Sequence, residues 1–175
     1  DRAAEYALKA LVSDDLNVGA LEIMAVAHRL AGRKSEVDRV LGWILEVDPL
    51  DHLARFERYL GSRKPEDLEA CRQLIRSELP HETWLEMAAF YARLGLEGDA
   101  AEALKAAPPQ TTVLYTRAYL LRDSAPDESA ACLETASSAS PHLVFPFREE
   151  EIPVFSWAIA ARPADWKPKY YLALI

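Results

Sequence analysis

Cysteine is scarce: the 175 residues contain only Cys71 and Cys132. Both lie on apolar stripes of predicted helices, far apart in the chain, as small buried hydrophobes do rather than the partners of a disulfide or a reactive thiol. No run approaches the ~18 uninterrupted apolar residues of a membrane span, so no membrane partner is expected. Residues 1–10 lack a signal peptide's order of basic, then apolar, then small residues, and with no other address in view the chain is expected to be cytoplasmic. Basic charge is also short. Twenty Lys and Arg stand against 28 Asp and Glu, a net charge of -8, which leaves no basic face for a phosphate backbone and argues against nucleic acid as a partner.

Motifs that carry chemistry are missing too. Gly32-Arg33-Lys34-Ser35 has the ending of a phosphate loop, but the earlier glycine is absent and the segment joins two predicted helices instead of following a strand. His81-Glu82 would need a second histidine at position 85 to hold zinc on one helical face, and Leu85 stands there. His28, His52 and His142 have no cysteine or carboxylate at ligand spacing around them. The carboxylate pairs Asp14-Asp15 and Glu149-Glu150-Glu151 fall in a turn and at a helix start, where capping accounts for them better than acid–base catalysis. The chain is therefore expected to be no enzyme, with no catalytic residue, metal or cofactor of its own.

What is present is a helical pattern. Half of the residues are apolar, and Trp84, Met87, Ala88, Tyr91, Gly95, Ala100, Leu104 and Ala107 are shadowed upstream by Leu21, Met24, Ala25, His28, Gly32, Val37, Leu41 and Ile44. In each row a large residue starts a first helix, small residues mark where it crosses a second, and glycine occupies the turn between them. The spacing predicts a lone helix over 1–13, broken at Asp14-Asp15-Leu16-Asn17, and a first whole unit over Val18–Leu50 that stops at Pro49. A second unit has stripes Leu53, Phe56, Leu60 and Leu68, Cys71, Ile75, Leu79, with Pro65 at the start of its second helix and an end before Pro80. The third unit, His81–Ala107, is the clearest and closes at Pro108-Pro109. In the fourth, Leu114, Ala118 and Leu121 form one stripe and Ser129, Leu133 and Ala136 the other, with no glycine between. Ser140–Arg148 reads as an extended, turn-rich insertion. Helices are expected over 149–161, with Pro153 tolerated in the first turns, and from about Trp166–Pro168 to Ile175.

These offsets, with a unit of about 34 residues, resemble the tetratricopeptide repeat family over nearly the whole chain. The resemblance implies an all-α, right-handed superhelix used as a protein-docking scaffold, degenerate toward the C-terminus. The segments 48–52, 78–83, Val144-Phe145-Pro146-Phe147-Arg148 and Asp165-Trp166-Lys167-Pro168-Lys169-Tyr170-Tyr171 look similar to the C-terminal repeat region of large bacterial proteins. The upstream part of those proteins is a domain of unknown function with sugar-enzyme-like folds. On that likeness residues 1–175 form one repeat domain, a piece of a longer protein, and any catalytic residues lie elsewhere.

The expected function is non-catalytic protein–protein interaction or assembly. The alternative is an accessory region of a bacterial carbohydrate-active enzyme. Stacked first helices present their inward positions as a groove, and by register these include Glu22, Arg29, Arg58, Leu85 and Arg93. The three arginines either clamp an acidic ligand or a C-terminal carboxylate, or are solvated and ion-paired. The late aromatics Phe145, Phe147, Phe155, Trp157, Trp166, Tyr170 and Tyr171 are either core or a ligand platform. Uncapped helices at both ends are expected to favour homo-oligomers.

Overall fold

A computed structural model describes residues 2–175. Every regular element among them is an α-helix, and the chain divides into two compact units, Asp1–Arg76 and Ser77–Ile175. None of the helices is long and apolar enough to cross a membrane.

The first unit contains α1 (Arg2–Ser13), α2 (Val18–Leu30), α3 (Lys34–Val47), α4 (His52–Ser62) and α5 (Pro65–Leu74). Each packs on the next in sequence, and α2 also packs on α4. The starts follow local chemistry. Asn17 accepts a hydrogen bond from the Ala20 amide at 2.9 Å and Asp51 one from Ala54 at 2.6 Å, so each satisfies a first-turn donor that has no intrahelical partner. Pro65 opens α5, where its missing N–H costs nothing. Gly32 takes φ +69° between α2 and α3, a left-handed conformation that a side chain would oppose. The core joins Leu21, Ala25, Val37, Val40, Leu41, Ile44 and Ala54.

The second unit contains α6 (Pro80–Arg93), α7 (Glu97–Ala106), α8 (Thr111–Leu121), α9 (Pro126–Ser138), α10 (Glu151–Ala161) and α11 (Lys167–Leu172). Neighbours pair in order from α6 to α9; α10 then packs on both α8 and α11. Gly95, at φ +76°, makes the α6–α7 turn. Residues 139–150 carry no helix. This insertion is held inward by Val144, which joins a cluster with Tyr115, Phe155, Ala158 and Tyr171. Below that cluster the Tyr115 hydroxyl donates to Asp165 at 2.5 Å, and the buried Lys167 ammonium donates to the Ser137 carbonyl, fastening α11 to α8 and α9.

The expected helix order is present, with two boundary corrections. The second helix of the second repeat, α5, ends at Leu74, not before Pro80: Ile75 takes the cap position and stays buried, while Leu79 is exposed. An apolar residue at helical spacing thus lies beyond the last turn because the stretch up to Pro80 has nothing beneath Leu79 to bury it. The last helix ends at Leu172, where the Ala173 amide turns back to the Lys169 and Tyr170 carbonyls.

The repeat register is visible in burial. Ala25, Ala88, Ala100 and Ala118, the small residues of the repeat pattern, are all at or below 1% exposure. Ala88→Trp and Ala100→Trp are each expected to destabilise the fold by ~1–3 kcal/mol or more through overpacking, read as a fall in the denaturation midpoint. An unchanged midpoint in both would mean these alanines do not face the core.

Candidate functional site

The five groove positions expected from the sequence separate into two cavities and one outlier. In the first unit a cavity of about 250 Å³ is lined by Arg29 and Arg58 together with Gly32, Lys34, Val37, Asp38, Leu41, Glu57, Gly61 and Ser62. Two of the expected residues therefore meet. Their chemistry differs, however. Arg29 on α2 makes a fork with Glu57 on α4, Nε to Oε2 at 2.7 Å and Nη2 to Oε1 at 3.1 Å, and Glu57 is only 1% exposed. A guanidinium held this way is a structural tie between α2 and α4. Arg58, one residue further along, is exposed, and neither it nor Lys34 has an ion-pair partner among the described residues. Ser62 donates its hydroxyl hydrogen to Asp67 and accepts from the Lys64 amide at 3.2 Å, so it organises the α4–α5 turn.

Glu22 lines neither cavity. It faces Asp51 at the start of α4 and Asp48 at the end of α3. Burial, then the charge of Asp51 and a hydrogen bond to it, then Asp48, push the Glu22 carboxyl up to about 8. Asp51 also caps α4 by accepting from the Ala54 amide.

In the second unit Leu85 and Arg93 line one cavity of about 280 Å³ built from α6, α8 and the start of α10. Leu85, Ala88, Ala89 and Ala92 give α6 a smooth apolar wall, Thr116, Tyr119 and Leu120 come from α8, and Pro153 and Val154 from α10. Charge sits on the rim. Arg93 lies 3.5 Å from Glu150, and Arg148 forks onto Glu82 and Glu86 of α6. The fork's two carboxylates favour the charged guanidinium, so the Arg148 pKa is raised against the opposing effect of its burial. Glu151 is buried and accepts from the Phe147 and Arg148 amides at 3.3 and 3.2 Å; it fixes the insertion against α10, and burial pushes its own carboxyl up. The sequence reading missed Arg148, Glu150 and the α8 residues. Arg148 and Glu150 come from the insertion outside the helical pattern, and Arg148 lies 66 positions from Glu82, beyond any helical spacing.

The late aromatics divide. Phe155 and Tyr171 are core, in ring contact with Tyr115 at 5.9 and 6.2 Å, and Trp157 packs on Tyr119. Phe145, Phe147, Trp166 and Tyr170 are exposed, and the Trp166 and Tyr170 rings lie 6.0 Å apart.

A third cavity, between α1, α2 and α3, is lined by Leu8, Leu11, Val12, Leu21, Met24 and Trp43 beside His28 and Arg39. His28 is buried there, and burial first, then Arg33, lower its pKa. Both cysteines are buried and free; burial pushes the Cys71 thiol up to about 12 and the Cys132 thiol upward as well, which removes thiolate character at neutral pH. Among the described residues no three His, Cys, Asp or Glu side chains converge as a metal site would need. What the cavities offer is shape, apolar surface and fixed charge.

Glu22 gives a pH test of this geometry. Its folded pKa is raised, so the stability it contributes is full below the unfolded value of 4.5 and is lost as pH rises toward about 8. Glu22→Gln is therefore expected to melt above the wild type at pH 8 and to match it near pH 4.5. Equal melting temperatures at both pH values would show that Glu22 and Asp51 are not in contact.

No protein-family model matches this chain, and no curated protein matches it either.

Proposed function

We propose that this chain is a non-catalytic protein-docking module of the tetratricopeptide type. The observation that supports the reading best is the unit-two groove. Three helices that are alternate in sequence contribute to it, its α6 wall is mostly alanine, and the rim carries fixed charge. Concave apolar surface bounded by a polar rim is the usual form of a peptide-binding site, because the floor supplies desolvation and the rim supplies register. The first-unit cavity, with Arg58 and Lys34 at its mouth, favours an acidic side chain or a terminal carboxylate as ligand there. The aromatic faces left exposed by Trp166 and Tyr170 favour a second reading, an accessory surface for sugar in a carbohydrate-active protein.

Ala89 separates docking from folding. It lines the groove and is partly exposed, whereas its neighbour Ala88 is 1% exposed in the core. Peptides selected from a random display library on the wild-type chain are expected to lose binding to Ala89→Trp, a variant that keeps the wild-type melting temperature, and acidic ones among them to be weakened by Arg58→Glu. Selected peptides that bind both variants as well as the wild type would overturn the docking reading. For the second reading, quenching of Trp166 fluorescence by soluble oligosaccharides, absent in Trp166→Ala, is the expected result. No quenching across cello-, xylo- and malto-oligosaccharides would reject it.

A further inference from the structure

We infer that the unit-two groove selects a basic amphipathic segment, one that lays apolar side chains on the alanine wall and places lysine or arginine at the rim. The inference rests on the docking reading above and adds the chemistry of the occupant. The floor favours apolar groups, since Ala89, Ala92, Leu120, Pro153 and Val154 offer a bound chain nothing to hydrogen-bond through their side chains, and Thr116 adds one buried hydroxyl among them.

The rim then decides the charge. Of the charged side chains that line the groove, Glu97, Glu150 and the buried Glu151 stand against Arg93 and Arg148, and these two arginines with the neighbouring Arg122 are ion-paired with five carboxylates, those of Glu82, Glu86, Glu97, Asp123 and Glu150. Two negative charges are left in excess. Arg148 is the most enclosed of the three, 12% exposed, and is shared by Glu82 and Glu86; Arg122 lies 3.4 Å from Glu97 and 3.3 Å from Asp123 and stacks over the Tyr119 ring at 4.0 Å. Each of these arginines is already engaged by two acids.

Among the described residues Arg93 faces a single carboxylate, and that contact is long, 3.5 Å, between side chains 68% and 45% exposed. Exposed pairs of this kind are weak, so an incoming ammonium or guanidinium can displace Arg93 from Glu150 at little cost. An incoming carboxylate meets the opposite situation. It would have to take Arg93 from Glu150 with Glu97 also on the rim of the same cavity. Arg93 thus acts as an occupant of the cation position, not as the anchor for an acidic ligand that register alone suggested.

The test uses three synthetic peptides with one amphipathic leucine framework and lysine, glutamine or glutamate at the polar positions, titrated into the full chain by fluorescence anisotropy. The lysine peptide is expected to bind about tenfold more tightly than the glutamine peptide, with the glutamate peptide weakest. Ala89→Trp should abolish lysine-peptide binding, Glu150→Gln and Glu97→Gln should weaken it, and Arg93→Ala should strengthen it. Glu46→Gln, on the first unit, controls for attraction to the net charge of -8 and should change nothing. Weaker lysine-peptide binding in Arg93→Ala, or preference for the glutamate peptide, would overturn the inference. Equal binding of all three peptides, blocked by Ala89→Trp, would overturn the charge assignment and leave docking intact. Binding of none of them, or lysine-peptide binding indifferent to Ala89→Trp, would overturn the inference and count against docking at this groove.

Discussion

Everything in both units depends on helices approaching closely enough at small residues to bury the apolar stripes beside them. Ala25, Ala100, Ala118, Ala136 and Ala158 are fully buried, and each lies where a helix meets its partner in sequence. Larger side chains fill the space to either side: Leu21, Leu41 and Ile44 in the first unit, and Trp84, Tyr91 and Leu104 around α6 and α7. A single helix pair of this kind cannot cover its own apolar faces, so stability comes from neighbour on neighbour. The cavities are by-products of the same constraint. Where the wall residues are alanine and the next helix stands off, concave apolar surface remains open.

Polar interactions act on top of this packing as ties between particular helices. The Arg29–Glu57 fork joins α2 to α4, the Tyr115–Asp165 and Lys167–Ser137 contacts fasten α11, and Arg148 holds the insertion to α6. Each is buried or nearly so, where a charge-assisted bond is strong and an uncompensated partner is costly. Such ties explain why arginines that look available in the sequence are not equally available for ligands. Of the three arginines on the inward register, Arg29 is consumed by the fold, Arg93 has a loose acidic neighbour, and Arg58 projects into solvent beside Lys34. The cavity of the first unit consequently leans basic and that of the second leans acidic.

The insertion at residues 139–150 does more than interrupt the helical pattern. Val144 enters the core, Glu151 closes the loop by accepting two of its amides, and Arg148 and Glu150 reach the groove rim. Leu143, itself exposed, adopts φ +58° there, a left-handed conformation uncommon outside glycine, just before the buried Val144. A departure from the repeat is thereby what supplies the groove with its extra charges, while the exposed Phe145 and Phe147 face away from the core.

The helices and their order are legible in the chain alone, because apolar spacing, prolines at helix starts, Gly32 and Gly95 in turns and the caps at Asn17 and Asp51 are all local signals. Burial of Ala25, Ala88, Ala100 and Ala118 and of both cysteines was legible in the same way, whereas Ala3, Ala10 and Ala107, on the same kind of pattern, stay partly or wholly exposed. Which groups meet across helices is settled only by the folded chain. The Arg29–Glu57 pairing spans 28 positions and Arg148–Glu82 spans 66, and the division of the late aromatics into core and surface depends on how the insertion folds back. Where α5 and α11 stop was likewise set by the supply of burying partners, since Leu79, Leu174 and Ile175 continue an apolar pattern with too little beneath it. Local pattern fixes what a helix wants to bury; the charge of a groove depends on which distant side chains arrive beside it, and no spacing along the chain encodes that.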